Sequence, residues 1–92
     1  DEYKAAIFAL KKDKQLLGKK KGESEIEVRT DSELLFKQIN GQYKIKDKDL
    51  QPLFIELWNL QQDFKKVTFV HVTREENRTA DRLVNRALDT LL

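Results

Sequence analysis

The sequence predicts an α/β domain whose elements follow in the order α-β-α-α-β-α. Residues 25–30, EIEVRT, alternate strictly between Ile26, Val28 and Thr30 on one face and charged residues on the other. This alternation is typical of a strand with one buried face. Residues 66–73, KVTFVHVT, are apolar on both faces, as an interior strand would be. Because two helices separate these strands, we expect parallel pairing through a right-handed crossover, with helices on the sheet faces.

The first helix is predicted over residues 2–17, and Gly18 is predicted to end it. One face of this helix is apolar and the other is covered by lysines, which is the pattern of a surface helix. The apolar face consists of Tyr3, Ala6, Ile7, Leu10 and Leu17. The segment KKKGES that follows is predicted to be a polar connection.

The second helix is predicted over roughly residues 32–39, ended by the NG that follows. A third helix comes after the basic loop GQYKIKDK, with Asp47 or Asp49 as its cap and Pro52 in its first turn. Trp58 lies beside the apolar stripe of this helix and is expected in the core. The stripe consists of Leu50, Leu53, Phe54, Leu57, Leu60 and Phe64.

The last helix is predicted from about Glu75 to Leu92. Thr73 and Glu76 have the spacing of a capping box at its start. Its apolar face would consist of Ala80, Leu83, Val84, Ala87, Leu88 and Leu91.

Composition limits the classes of protein that fit. A chain of 92 residues without cysteine predicts one domain, residues 1–92, with neither disulfides nor a thiolate metal site. No apolar run approaches the length of a membrane span and no signal peptide is recognisable, so we expect no membrane partner and an intracellular, cytoplasmic location. The net charge of +2 says little about binding partners, but lysines cluster at residues 11–21 and 44–48. The first cluster suits a solvated helix end, and the second suits phosphate contacts and solubility equally.

Asp31 follows the first strand and opens the second helix, which leaves two interpretations. An aspartate there is commonly a helix N-cap, and pattern alone favours that interpretation. The carboxyl end of a strand is also where open α/β sheets bind ligands. Asp81 on the last helix and Glu2 on the first could approach Asp31 there, although each also suits a solvated helix. Carboxylates brought together repel one another, and Mg²⁺ would relieve that repulsion.

Three blocks of the sequence, EYKAAIFAL, VRTDSELLFKQINGQYKIKD and FVHVTREENRTADRLVNRAL, closely resemble the type 1 ribonuclease H family, in its short archaeal and bacterial branch. The resemblance implies a ribonuclease H-like fold and hydrolysis of the RNA strand of RNA–DNA hybrids with two Mg²⁺ or Mn²⁺ ions. Matched motif by motif, it implies that Glu2, Asp31 and Asp81 are catalytic metal ligands. It also implies that Asn77 and Ser32 contact substrate.

Two further features have counterparts in the same family. The loop that contains Tyr43, Lys44 and Lys46 lies where longer members have a basic hybrid-binding protrusion, so we expect it to bind substrate. His71 lies near the distance of the family's mobile loop histidine, but it falls inside a predicted strand. A core or edge histidine is therefore the favoured interpretation.

The sequence departs from the family at its start. The family's first three strands and its first catalytic Asp should precede Glu2, and no DG strand occurs in the 92 residues. We therefore expect an incomplete domain that is inactive or weak by itself. The alternative is a non-catalytic nucleic-acid-binding or interaction module on the same scaffold. The unpaired edge of EIEVRT further predicts self-association, or a partner strand that completes the sheet.

Overall fold

The computed structural model describes residues 1–79, with side chains to residue 76. The described elements are α1 (Glu2–Leu17), a 3₁₀ helix (Gly18–Glu23), β1 (Glu25–Thr30), α2 (Glu33–Ile39), α3 (Gln51–Gln61), β2 (Lys66–His71) and α4 (Arg74–Thr79). This order confirms the predicted α-β-α-α-β-α arrangement. The expected apolar face at residues 80–91 lies outside the described part of the chain. No helix within residues 1–79 is long and apolar enough to cross a membrane.

Helix α1 has the predicted bounds because both of its ends are capped. The Asp1 carboxylate accepts a hydrogen bond from the backbone N–H of Lys4 at 2.9 Å. At the other end Gly18 has φ 55°, which favours glycine, and its N–H donates to the carbonyl of Lys14. The lysines that follow form a 3₁₀ helix rather than an irregular connection.

Strands β1 and β2 pair in parallel, as predicted. Val28 lies opposite Phe69 and Thr30 opposite His71, so the carboxyl ends of the two strands are level. All three predicted core residues of β1 are buried. In β2 only Phe69 is fully buried, so the prediction of an interior strand with two apolar faces buried is wrong for the described residues.

One hydrophobic cluster joins α1, α2 and α3 to the sheet. It contains all five apolar residues predicted for α1 and the predicted end of the α3 stripe, whereas the start of that stripe is half-buried. The fully buried members with the largest side chains are Leu10, Val28, Leu35 and Leu57. Two ion pairs border the α1–α3 contact: Lys11 with Glu56 of α3 at 2.9 Å, and Lys14 with Asp63, just beyond the end of α3, at 2.8 Å.

The predictions for the start and outer surface of α3 are partly wrong. Neither Asp47 nor Asp49 caps the helix, because the N-cap is Leu50 and no side chain caps it. The Asp47 carboxylate instead accepts from the N–H of Asp49 at 2.8 Å and stabilises the preceding turn. Trp58 is 48% exposed rather than in the core, and its ring stacks on that of Phe54 at a centroid distance of 6.3 Å.

Candidate functional site

Asp31 lies at the carboxyl end of β1, but it is not the cap of α2. The N-cap is Ser32, whose Oγ accepts from the backbone N–H of Leu35 at 3.1 Å. The N–H of Ser32 in turn donates to Oγ1 of Thr30 at 3.1 Å, which fixes the turn between strand and helix. The cap interpretation of Asp31 is therefore wrong. The carboxylate is free of helix capping and is mostly shielded from solvent, with 18% of the side chain exposed.

Arg74 is the ion-pair partner of Asp31. Its Nε lies 3.3 Å from Oδ2 of Asp31, and its side chain is 85% exposed. The contact follows from the sheet register, because Arg74 comes three residues after the end of β2 and Asp31 comes directly after the end of β1. The structure thus provides Asp31 with a cation that had not been singled out in the sequence.

The start of α4 is held by the predicted capping box. The N–H of Thr73 donates to Oε1 of Glu76 at 2.8 Å, and the N–H of Glu76 donates to Oγ1 of Thr73 at 3.1 Å. The hydrogen bonds with Thr73 lower the pKa of Glu76, and the positive charge of Arg29 contributes in the same direction. The box therefore positions Arg74 at the first turn of α4, where it reaches Asp31.

His71 is the last residue of β2, at the same end of the sheet as Asp31. It is exposed, and its ring centroid lies 5.7 Å from that of Phe36 in α2. Of the two positions predicted, core or edge, the described residues show an edge strand, and His71 is not part of the core. A role like that of the family's loop histidine stays a prediction.

Glu2 lies in the exposed first turn of α1, and its helix end is attached to α2. The hydroxyl of the adjacent Tyr3 donates to Oε1 of Gln38 at 2.8 Å, and both residues are buried. Burial raises the pKa of the Tyr3 hydroxyl, so it remains a proton donor at neutral pH. Gln38 lies near the end of α2, seven residues along the chain from Asp31, which precedes the start of that helix. The structure thus attaches the first turn of α1, which carries Glu2, to α2, the helix that follows Asp31.

The described residues do not form a metal site by themselves. No group of three His, Asp or Glu side chains within them is arranged to hold a metal ion. Asp31 is paired with a guanidinium instead. Asp81 lies outside the described residues, as does the side chain of Asn77, whose backbone belongs to α4. The structure therefore leaves the predicted three-acid ligand set untested.

The basic loop predicted to contact substrate is attached to α2. The backbone N–H groups of Gln42 and Tyr43 both donate to the carbonyl of Lys37, at 2.8 and 3.2 Å, after a turn in which Gly41 has φ 78°. The amide of Gln38 donates to the carbonyl of Lys44 at 3.4 Å. The basic loop thus has a definite position relative to α2.

Lys37 also holds the aromatic ring of the loop. Its Nζ lies 3.3 Å from the hydroxyl of Tyr43, 4.9 Å from the centre of that ring and 2.9 Å from Oε2 of Glu33. The hydrogen bond from Lys37 lowers the pKa of Glu33, and the bonds with Glu33 and Tyr43 raise the pKa of Lys37. The i, i+4 spacing of Glu33 and Lys37 was a signal in the sequence that could have identified the pair.

Next to this pair the loop borders an open depression of about 500 Å³. It is lined by Gln42, Tyr43, Lys44 and Lys46. Half of the Tyr43 surface is exposed. All three loop residues predicted to bind substrate therefore line one surface, where an aromatic ring and two ammonium groups are available to a nucleic acid.

Comparison with known proteins decides the family. The family model described as reverse transcriptase-like matches residues 2–87, which is nearly the whole chain. The chain belongs to the reverse transcriptase-like family of ribonuclease H-like proteins. The resemblance inferred from the sequence blocks is thereby confirmed.

One curated relative of the chain is named as a ribonuclease HI. The chain is 36% identical over 88 residues to ribonuclease HI of Halobacterium salinarum, covering 96% of this chain and 42% of that protein. It is 37% identical over 70 residues to a bifunctional protein of Mycobacterium tuberculosis, covering 76% of this chain and 19% of that protein. The chain thus spans less than half the length of these curated relatives.

The fold agrees with the family assignment. A ribonuclease H1 isolated from compost, solved in complex with an RNA/DNA hybrid, matches with a TM-score of 0.75 and 41% identity, covering 98% of this chain and 65% of that one. The predicted ribonuclease H-like α/β fold is therefore confirmed.

Proposed function

We propose that the protein containing this chain hydrolyses the RNA strand of RNA–DNA hybrids. The proposal rests chiefly on the 41% identity to a ribonuclease H1 solved with an RNA/DNA hybrid, over 98% of this chain. The position of Asp31 at the carboxyl end of β1, where α/β sheets bind ligands, agrees with it. This chain covers only 65% of that relative. The activity and the substrate are therefore proposed for the whole protein that contains this chain, and not for the 92 residues alone.

Divalent metal ions are part of this proposal. Two Mg²⁺ or Mn²⁺ ions would be held by Glu2, Asp31 and Asp81 together with a further acid of the complete family site. Such ions supply an activated water and stabilise the leaving oxygen in phosphodiester hydrolysis. Arg74 would have to move from Asp31, or share it, when an ion binds there. The residues of this chain would contribute the carboxylates and the surface that orients the hybrid.

The hybrid would be held by shape and phosphates rather than by base sequence. Tyr43, Lys44 and Lys46 would contact one strand through the loop attached to α2, and Ser32 and Asn77 would contact substrate near Asp31. A cytoplasmic location of this activity also stays a prediction.

A metal-dependent cleavage assay on the complete protein tests the proposal. A labelled RNA–DNA hybrid should be cut in the RNA strand with Mg²⁺ and remain intact with EDTA. Asp31→Asn should reduce the rate by at least about 100-fold, since even outer-shell substitutions at metal sites cost 10–100-fold. Glu56→Gln is the control, because it removes a carboxylate that pairs with Lys11 on the α1–α3 surface. Equal activity of Asp31→Asn and the wild-type protein would exclude this function.

A non-catalytic nucleic-acid-binding or interaction module is the second candidate. The observation that favours it is the Asp31–Arg74 ion pair, because a cation already neutralises this acid. Titration with Mn²⁺ distinguishes the two functions. The nuclease should bind Mn²⁺ with an affinity that Asp31→Asn weakens, whereas the module should show no such dependence.

A further inference from the structure

The amino end of the sheet, opposite Asp31, gathers lysines around Ser24. This serine directly precedes β1 and is buried, with 5% of its surface exposed. Its hydroxyl donates to the carbonyl of Lys20 at 2.7 Å, and its N–H donates to the carbonyl of Lys21 at 3.1 Å. The end of the 3₁₀ helix is thereby held in a definite conformation.

The same serine also binds a segment that is distant in sequence. Its carbonyl accepts from the backbone N–H of Lys65 at 3.0 Å and from that of Lys66 at 3.4 Å, at the start of β2. Four lysine backbones therefore meet at Ser24, two from each segment. We call Lys20, Lys21, Lys65 and Lys66 the lysine cluster.

The charges of the lysine cluster are available to a ligand. Lys20, Lys65 and Lys66 are exposed and Lys21 is half-buried. The ion pair that the structure records for the cluster within residues 1–79 joins Lys65 to Glu25 at 3.8 Å, with both side chains more than 60% exposed. An ion pair between two side chains this exposed contributes little to stability. Glu23 is the acid of the 3₁₀ helix and Glu25 is the first residue of β1, so the four lysines outnumber these two acids.

We propose that the lysine cluster binds the phosphate backbone of a nucleic-acid duplex, independently of the site near Asp31. Positive charges on two segments that meet at one serine repel one another, and the dense phosphate charge of a duplex relieves that repulsion. Lysine is a compact point charge without the planar fork that reads base edges. Binding at the cluster is therefore expected to be independent of sequence.

The surroundings of the cluster favour a duplex over single-stranded nucleic acid. Single-stranded nucleic acid is usually held by exposed aromatic rings. The exposed aromatic residues of the described chain lie elsewhere: Phe8 in α1, Tyr43 in the basic loop and Trp58 in α3. Phe64, the aromatic residue next to Lys65, is buried.

The cluster cannot contact the same phosphates as Asp31. The six residues of β1 lie between Ser24 and Asp31, and at about 3.3 Å per residue they separate the two ends by roughly 20 Å. The cluster would therefore hold a second duplex segment. Two weak contacts on one nucleic acid would raise the overall affinity.

The test measures duplex binding by the complete protein carrying Asp31→Asn, in EDTA, by fluorescence anisotropy of a labelled 20-base-pair DNA. The affinity is measured over a series of salt concentrations. Lys20→Gln with Lys21→Gln, and separately Lys65→Gln with Lys66→Gln, should each reduce the slope of log affinity against log salt by about 2. This is the change expected when two phosphate contacts are lost.

The matched control is Lys4→Gln with Lys12→Gln, which removes the same charge from exposed positions of α1. It should leave the slope unchanged. The proposal is overturned if the control changes the slope as much as the cluster variants, or if neither cluster variant changes it. Cluster-dependent binding to anionic lipid vesicles without binding to duplex would also overturn it. This assay measures binding and not cleavage. Its result therefore does not depend on whether the proposed nuclease activity is found.

Discussion

The Oδ2 atom of Asp31 lies 3.3 Å from Nε of Arg74, at the level carboxyl ends of two parallel strands. The proposed metal ligand therefore has a guanidinium as its ion-pair partner. Any cation that binds Asp31 must therefore compete with Arg74 or share the carboxylate with it.

The Asp31–Arg74 pair should contribute little to stability. Arg74 is 85% exposed, and exposed ion pairs contribute about 0–1 kcal/mol. We expect Asp31→Asn and Arg74→Gln each to change the free energy of unfolding by less than about 1 kcal/mol in urea denaturation. A loss above about 2 kcal/mol would show that Asp31 has a structural role, and the activity assay would then need a different variant.

The Tyr3–Gln38 hydrogen bond should matter more. Tyr3→Phe would leave the buried Oε1 of Gln38 without its 2.8 Å donor, at a cost of about 1–3 kcal/mol. Urea denaturation measures this change. Tyr43→Phe is the control, because that hydroxyl is exposed and its bond to Lys37 is long at 3.3 Å. Equal effects of the two substitutions would contradict the assignment of the buried bond.

Ser32 rather than Asp31 should behave as the cap of α2. Ser32→Ala should lower the free energy of unfolding by about 1 kcal/mol, because the N–H of Leu35 loses its acceptor. Asp47→Ala is a comparison at a predicted cap that the structure does not use, and its effect should be smaller. Thermal unfolding of both variants tests the order, and the reverse order would exclude Ser32 as the cap.

The capping box of α4 predicts a pH dependence of stability. The pKa of Glu76 is lowered from 4.5 by its hydrogen bonds with Thr73, so the folded state favours the carboxylate. This contribution is present above pH 4.5 and is lost as the pH falls through the lower pKa of the folded state. Melting temperatures between pH 3 and 7 should fall less steeply for Glu76→Gln than for the wild-type protein. Parallel curves would show that Glu76 makes no such contribution.

Local signals were sufficient for much of this fold. The bounds of α1 and β1 were predictable because helical spacing, strand alternation and a terminal glycine act within a few residues. The capping box of Thr73 and Glu76 was recognisable for the same reason. The family blocks around Asp31 also predicted the family that the comparisons confirm.

The prediction of helix caps failed at α2 and α3, although a cap is also a local feature. Asp31, Ser32, Asp47 and Asp49 all have cap chemistry, and the sequence alone favoured the wrong ones. Which oxygen reaches an N–H depends on how the preceding turn is held. The Thr30 hydroxyl decides it at α2. The burial of Trp58 was predicted wrongly. The apolar stripe of a helix does not show which of the residues beside it a neighbouring element will cover.

The sequence by itself determined the element order and the parallel strand pairing, and it predicted the carboxylates of the candidate site. Only the tertiary structure decided that Arg74 meets Asp31 and that Ser24 joins Lys20 and Lys21 to Lys65 and Lys66. The physical reason is that both contacts depend on the register of β1 against β2, which aligns residues about 40 positions apart. Such alignment is set by packing of the whole core and leaves no local pattern in the chain.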